Sequence, residues 1–431
     1  MIWIWTLGYC YILFDATIVY YNKLLYICNN NTIMETLFKK HRMLISQVSM
    51  DIIRESANGI LWEKQLVGIK GSKGVGKTTM MRQFIKGRYG VNAGEALYCV
   101  MDSIYFATHS LLDLAERFHL MGGKHLFLDE VHKYDKWSTE IKEIIDLYPD
   151  MKITYSGSSL LQILNADADL SRRSLSYDIP GLSFREYLMF YHNIKFPKYS
   201  LEELLNNADD ICNAVAAACP PQKMFEEYLR VGFYPFYDND ETEYYSRIEN
   251  VVKYIIEQEM TKFCGVDPAY TRKLEAMLLY LADSIPYEVN IAKLASYLEI
   301  NKLTVLSYLA SMKKAELLHL LYADNKNVTK MQKPDKIYIH NPNMLCAFAK
   351  QENIGTLREC FFVNQMMVNH EVEYGKTQGD FRIDGKWTIE VGGSDKSFDQ
   401  IAGIPNSFVF ADSIEVPVGK KLPLWLAGFT Y

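Results

Sequence analysis

Residues 71–79 read GSKGVGKTT. Gly71, Gly76, Lys77 and Thr78 fill the spacing G-x-x-x-x-G-K-[ST], with Ser72, Lys73, Gly74 and Val75 inside the loop and Thr79 closing it. The apolar run Leu66-Val67-Gly68-Ile69 in front of it reads as a short buried strand. Behind it, Met80, Met81, Phe84 and Ile85 mark the apolar face of a helix from Thr78 to about Lys86. Strand, glycine loop and helix in that order make a phosphate cradle. The glycines let successive N–H groups turn inward on a polyphosphate, and the helix brings its positive end to the same oxygens. Lys77 is expected to reach the terminal phosphates, and the Thr78 hydroxyl to take one place on Mg2+. The plainer reading is a glycine-rich turn into a helix.

The second half of such a site is expected at His125-Leu126-Phe127-Leu128-Asp129-Glu130. A buried strand ending in two carboxylates sets Asp129 where it can hold the magnesium shell and Glu130 where it can deprotonate a water. Asp-Glu also suits a helix N-terminus, where acids are favoured in any protein. Lys77 and Asp129 are 52 positions apart, room for a helix, a strand and a second helix. One strand, Ala96 to Val100, is therefore inserted between the two motif strands, and a helix from Ser110 to about Met121 follows it. That spacing suits an ATPase with an adjacent catalytic glutamate rather than a simple nucleotide kinase.

Further on, a helix over Trp137 to Leu147 precedes a strand, Lys152 to Ser156. Its polar end, Ser156-Gly157-Ser158-Ser159, reads either as a terminal-phosphate sensor, with Ser158 at the nucleotide, or as an ordinary helix cap. Arg172 and Arg173, in a loop before the strand Ser174 to Ile179, read either as transition-state arginines or as a solvated pair.

At 431 residues the chain is too long for one core, which implies two or three domains. With 49% apolar residues, 23% charged and a net charge of -6, it has a globular composition, and nucleic-acid contact would need a local basic patch. The eight cysteines form no C-x-x-C pair and the nine histidines no ligand motif, which argues against a disulfide scaffold or zinc site and for a reducing compartment. The opening segment MIWIWTLGYCYILF is interrupted by Asp15 and again by Lys23, short of the roughly 20 apolar residues that span a bilayer. It also lacks a basic leader, so translation starting at Met34 is the preferred reading and a membrane anchor the alternative. An amphipathic helix is expected from Thr36 to about Ser56.

IKGSKGVGKTT, FLDEVHK, ITYSGSS and ADLSRRSLSYDIPGLSFREYL together resemble the prokaryotic AAA-type ATP-binding proteins that carry an uncharacterised C-terminal domain. The similarity runs from about Met34 to the end and is strongest between Gly59 and Tyr187. It implies an α/β fold with a parallel five-stranded P-loop core, ATP with Mg2+ as cofactors, and a cytoplasmic protein. It supports nucleotide roles for Gly71 to Thr79, Asp129 and Glu130. It supplies no substrate beyond ATP.

The expected domains are an ATP-binding core over 34–195, a helical lid over 196–265, a winged helix over 266–345 and a degenerate nuclease-like α/β module over 346–431. The winged-helix expectation rests on three helical stretches from Arg272, Ile291 and Leu303 and a hairpin, Leu317 to Tyr322 with Lys336 to His340, around a polar tip, Asp324 to Lys333. Residues 270–336 hold ten Lys and Arg against seven Asp and Glu, so contact with DNA through Lys302, Lys313, Lys314, Lys326 and Lys330 stays open beside a packing role. In the last module Glu359, Asp380 and Glu390 match a two-carboxylate nuclease pattern, but Gly392 stands where its lysine belongs, with Lys396 as a substitute from the adjacent loop. The resulting reading is an ATP-binding protein that hydrolyses ATP slowly and acts as a nucleotide-driven switch. The alternatives are a DNA-acting enzyme and a non-hydrolysing interaction module. A protein partner or self-association stays open.

Overall fold

The computed structural model describes residues 34–157, 170, 172–284, 287–288, 290–323, 332–351 and 353–431. Residues 1–33, and with them the question of the start site, lie outside this set, as does Ser158. Two compact units divide the chain: Met1–Gly68 with Thr78–Ser156 and Arg172–Leu175, and Ile69–Lys77 with Gly157–Ser171 and Ser176–Tyr431.

The first sheet is parallel and five-stranded, in the order β2-β3-β4-β1-β5, with β1 Leu66–Lys70, β2 Ala96–Val100, β3 His125–Asp129, β4 Lys152–Ser156 and β5 Leu175–Asp178. All five residues of β1 and of β3 are buried, which is why these strands read as unbroken apolar runs instead of alternating ones. The fold is the α/β core of a P-loop NTPase. In chain order β2 is the strand inserted between the two motif strands. In the sheet it takes the outer edge, and β4 lies between β1 and β3.

The first helix, α1, covers 34–47 and stops nine residues before the expected end. Local side-chain bonds explain the stop. Ser49 donates to the Asp51 carboxylate at 2.6 Å and accepts from the Asp51 N–H at 3.1 Å, which offers the backbone an alternative to the helical ladder. The carbonyls of Ser46 and Val48 accept from Lys86 on α2 (Lys77–Arg88), and those of Ser49 and Ile52 accept from Gln83. Helix α3, Leu111–Leu120, is capped by Ser110, and its first N–H groups donate to Glu140 of α4, Trp137–Leu147, at 2.8 and 3.1 Å. That buried carboxylate satisfies donors a helix start otherwise leaves orphaned.

Most of the second unit follows β5. Helix α5, Phe184–His192, opens with a complete capping box of Ser183 and Glu186. After it come α6 Leu201–Asn206, α7 Ala208–Ala218, α8 Pro221–Val231 and α9 Glu241–Tyr254, whose axis continues as a π-helical turn, Ile255–Met260. Helices α10 Thr271–Ala282, α11 Ile291–Leu298 and α12 Lys302–Lys314 accompany a three-stranded antiparallel sheet β6-β8-β7, with β6 Tyr287–Glu288, β7 Leu318–Leu321 and β8 Lys336–Ile339. The hairpin tip at 324–331, with Lys326 and Lys330, lies outside the described residues. Helices α13 Pro342–Phe348 and α14 Ile354–Met366 lead to a sheet of order β13-β12-β11-β10-β9, made of β9 Val372–Tyr374, β10 Phe381–Ile383, β11 Trp387–Gly392, β12 Ser407–Ala411 and β13 Lys421–Pro423.

The segments expected as a lid and as a separate terminal module share one core. Leu201, Leu204, Ile211 and Val215 of α6 and α7, and Phe225 of α8, pack in the same apolar cluster as Phe361, Phe362, Phe410 and Trp425. Each of those helices has an apolar stripe, and its partner is the terminal sheet and α14. Among the described residues no helix is long and apolar enough to cross a membrane.

Candidate nucleotide site

The loop leaving β1 is held in shape by its own backbone and by what packs on it. Gly71 has φ +138°, and a Cβ there would run into the Ile179 carbonyl oxygen, so only glycine fits. Gly74, at φ +93°, lies under the Phe236 ring, which stands 2.8 Å from where its Cβ would be. Gly76, also at positive φ, faces Pro235 at 3.6 Å. Lys73 sets its ammonium 3.9 Å over the Tyr254 ring. Ser72 donates its hydroxyl to Glu316. Lys77 is buried, and its ammonium donates to the carbonyls of Gly71 at 2.7 Å and Ser72 at 2.6 Å, closing the loop on itself.

Thr78 and Asp129 meet directly. The Thr78 hydroxyl donates to Asp129 Oδ2 at 2.8 Å. Tyr98 of β2 donates to the same oxygen at 2.6 Å, and Ser156 at the end of β4 donates to Oδ1. Three hydroxyl donors hold the carboxylate in one orientation. Register explains the meeting: Val100 of β2 sits opposite Asp129 and Tyr98 opposite Phe127, so Tyr98 and Asp129 are diagonal neighbours at the strand ends. Arg82 of α2 donates to the Tyr98 hydroxyl at 2.8 Å. Burial and the Asp129 charge push the Tyr98 phenol far above its ordinary value, so it stays a donor at any working pH.

Glu130 leaves the strand in the left-handed region, φ 59° and ψ 43°. A side-chain residue there carries about 1–2 kcal/mol of strain, a feature that concentrates at functional sites. Its carboxylate lies 3.4 Å from Nε2 of buried His132, and its backbone N–H donates to Ser156 Oγ at 3.4 Å. Arg173 pairs with Asp146 of α4. Arg172 beside it is exposed.

A hydroxyl and a carboxylate 2.8 Å apart fit Mg2+, which keeps most of its waters and needs few protein ligands. Among the described residues no group of three His, Cys, Asp or Glu side chains is placed to hold a metal by itself.

The carboxylates of the terminal sheet have a different character. Lys396 lies over Gly392: its side-chain carbons are 2.8 Å from where a Cβ on Gly392 would be, and its ammonium reaches Glu390 at 2.5 Å and Asp380 at 3.8 Å. Glu390, however, is 0% exposed. Burial and the neighbouring Asp380 raise its pKa to about 7 in spite of Lys396. Asp380 accepts from the Val391 N–H at 2.9 Å, and Glu359 accepts from Tyr338 at 2.5 Å. This is a closed ion-pair cluster. Of the lysines expected at DNA, Lys313 lies 5.9 Å over the Tyr322 ring and lines a cavity.

Residues 63–188 match an AAA domain family. Residues 222–354 match a domain of unknown function, DUF8612. An uncharacterized protein of Methanocaldococcus jannaschii, MJ1637, is 28% identical over 326 residues, covering 72% of this chain and 68% of that protein. The Walker-type ATPase PABY2304 of Pyrococcus abyssi is similar over 71% of this chain and 99% of its own, at 13% identity and a TM-score of 0.40. AMPPCP-bound DnaA from Aquifex aeolicus is similar over 60% and 85%, at 16% identity and a TM-score of 0.24.

Sequence reading named Lys77, Thr78, Asp129 and Glu130, and the structure joins Thr78 to Asp129. It missed Tyr98, although a hydroxyl in an otherwise apolar strand beside the acidic one was a usable signal. It also missed Glu316, which lies 244 positions from Ser72 and announces itself by nothing local.

Proposed function

We propose that the chain binds ATP with Mg2+ and hydrolyses it slowly, acting as a nucleotide-driven switch. The observation that carries this reading is the Thr78–Asp129 hydrogen bond, with Asp129 fixed by Tyr98 and Ser156. N–H groups of the loop from Gly71 to Thr79 would surround the phosphates, and Lys77 would neutralise the charge that builds on them. Bound Mg2+ would neutralise phosphate charge from a place held by Thr78 and Asp129. Glu130 would orient a water and take its proton, with His132 holding the carboxylate in line. The match of residues 63–188 to an AAA domain supports the nucleotide assignment.

The test is calorimetry with ATP and Mg2+, together with phosphate release. Lys77→Ala is expected to abolish binding. Glu130→Gln is expected to keep binding and stop turnover, and parental turnover in that variant would remove the catalytic assignment.

A further inference from the structure

One acidic residue grips the phosphate loop from far along the chain. Glu316 is the middle one of the three residues between α12 and β7, and it accepts from both the hydroxyl and the backbone N–H of Ser72, with its charge felt by Lys77. Its backbone is left-handed, φ 55°, at the position after a helix where glycine is the strain-free choice. The turn itself is rigid. The Glu316 N–H donates to Lys313 O at 3.1 Å and the Leu317 N–H to Met312 O at 3.0 Å, so the carboxylate moves only as α12 moves or by its own rotation. Rotation has somewhere to go. A cavity of about 390 Å³ opens beside it, lined by Glu316, Asp178, Phe233, His319, His340 and Asn364. Glu316 thus joins a strained backbone and a bond to the second residue of the loop with open space beside its carboxylate.

We propose that Glu316 is a positioning residue for the phosphate loop, through which nucleotide occupancy is transmitted to α12 and β7. This rests on the nucleotide reading above and names how that site would be coupled to the rest of its unit. Coupling of this kind is reciprocal, so a residue that carries it affects both nucleotide affinity and the response of the helix.

The experiment uses the full chain, ATP with Mg2+, and four variants: Glu316→Ala, Ser72→Ala, the double variant and Glu316→Gln. Each single alanine is expected to weaken ATP about five- to tenfold, and the double variant no further, because both remove one interaction. Glu316→Gln keeps a hydrogen-bonding partner for Ser72 and is expected to recover most of the affinity. In the parent, ATP is expected to slow amide exchange over Lys302 to Leu321, and in Glu316→Ala it is not. Additive losses, or ATP binding to the parent with no change in exchange over that segment, would overturn this inference and leave the nucleotide site standing. No ATP binding by the parent would remove the nucleotide reading and this inference together.

Discussion

Glu130 shows what a single residue costs and does. In the left-handed region a side chain is strained and glycine is not, so Glu130→Gly is expected to raise stability by about 1 kcal/mol in a denaturant melt. The same change removes the carboxylate proposed to activate water, so the gain should come with lost phosphate release, while Glu130→Gln loses turnover without the gain. Equal stability of the two variants would mean that the backbone there is relaxed. Tyr98 makes the complementary case. Its phenol is one of three donors to Asp129, and Tyr98→Phe removes a bond to a charged acceptor, expected to cost about 1.5–3 kcal/mol. A titration of ATP binding against Mg2+ should shift to higher Mg2+ in that variant, since Asp129 is then held only by Thr78 and Ser156.

At the scale of elements, β3 does two jobs. It carries Asp129 at its tip and buries His125 at its base, 0% exposed, between the Tyr89 hydroxyl at 3.0 Å and Thr154 at 2.9 Å. Burial lowers the His125 pKa to about 3, so the ring is neutral in the folded chain. The unfolded chain takes up a proton below about 6.5 and the folded one does not, so this stabilising preference is whole above that pH and declines as pH falls toward 3. Melts of the parent should lose stability across pH 6.5 to 4, and His125→Gln should flatten that slope by about one proton. An unchanged slope would place the acid sensitivity elsewhere, with His41, whose pKa burial lowers to about 4, the next to replace.

Elements of this kind were legible because their signals are local. The loop spacing, the apolar strands and the acidic strand end each fit within a dozen residues. The α1 boundary was not legible, because Ser49 and Asp51 end the helix through side-chain bonds while the apolar spacing runs on past them. Nor was the grip on Gly71 and Gly74, since Ile179 and Phe236 lie far along the chain and the loop motif specifies glycines without saying what presses on them.

At the scale of the molecule, the same limit governs where one body ends. Periodicity says that α6, α7 and α8 each bury a face, but it is silent on the partner, and a lid over the nucleotide core was a reasonable guess. The apolar cluster instead runs from Phe184 through these helices to Phe361, Trp425 and Phe429. Residues after 345 are therefore part of the folding unit of residues before 231. Ending the chain at Leu345 would strip Phe361, Phe362, Phe410 and Trp425 from that core and leave Phe225 and Leu204 facing water. Loss of even one such aromatic, as in Phe361→Ala, is expected to cost about 3–5 kcal/mol. Loss of four exceeds the margin by which an ordinary domain is folded, about 5–15 kcal/mol. The truncated chain should then aggregate, or bind an apolar dye and melt without cooperativity, whereas a removable terminal domain would leave a soluble remainder with a sharp transition. Circular dichroism melts of the truncated and full chains separate the two outcomes, and a cooperative remainder would show that the shared core is not needed to hold the helices together.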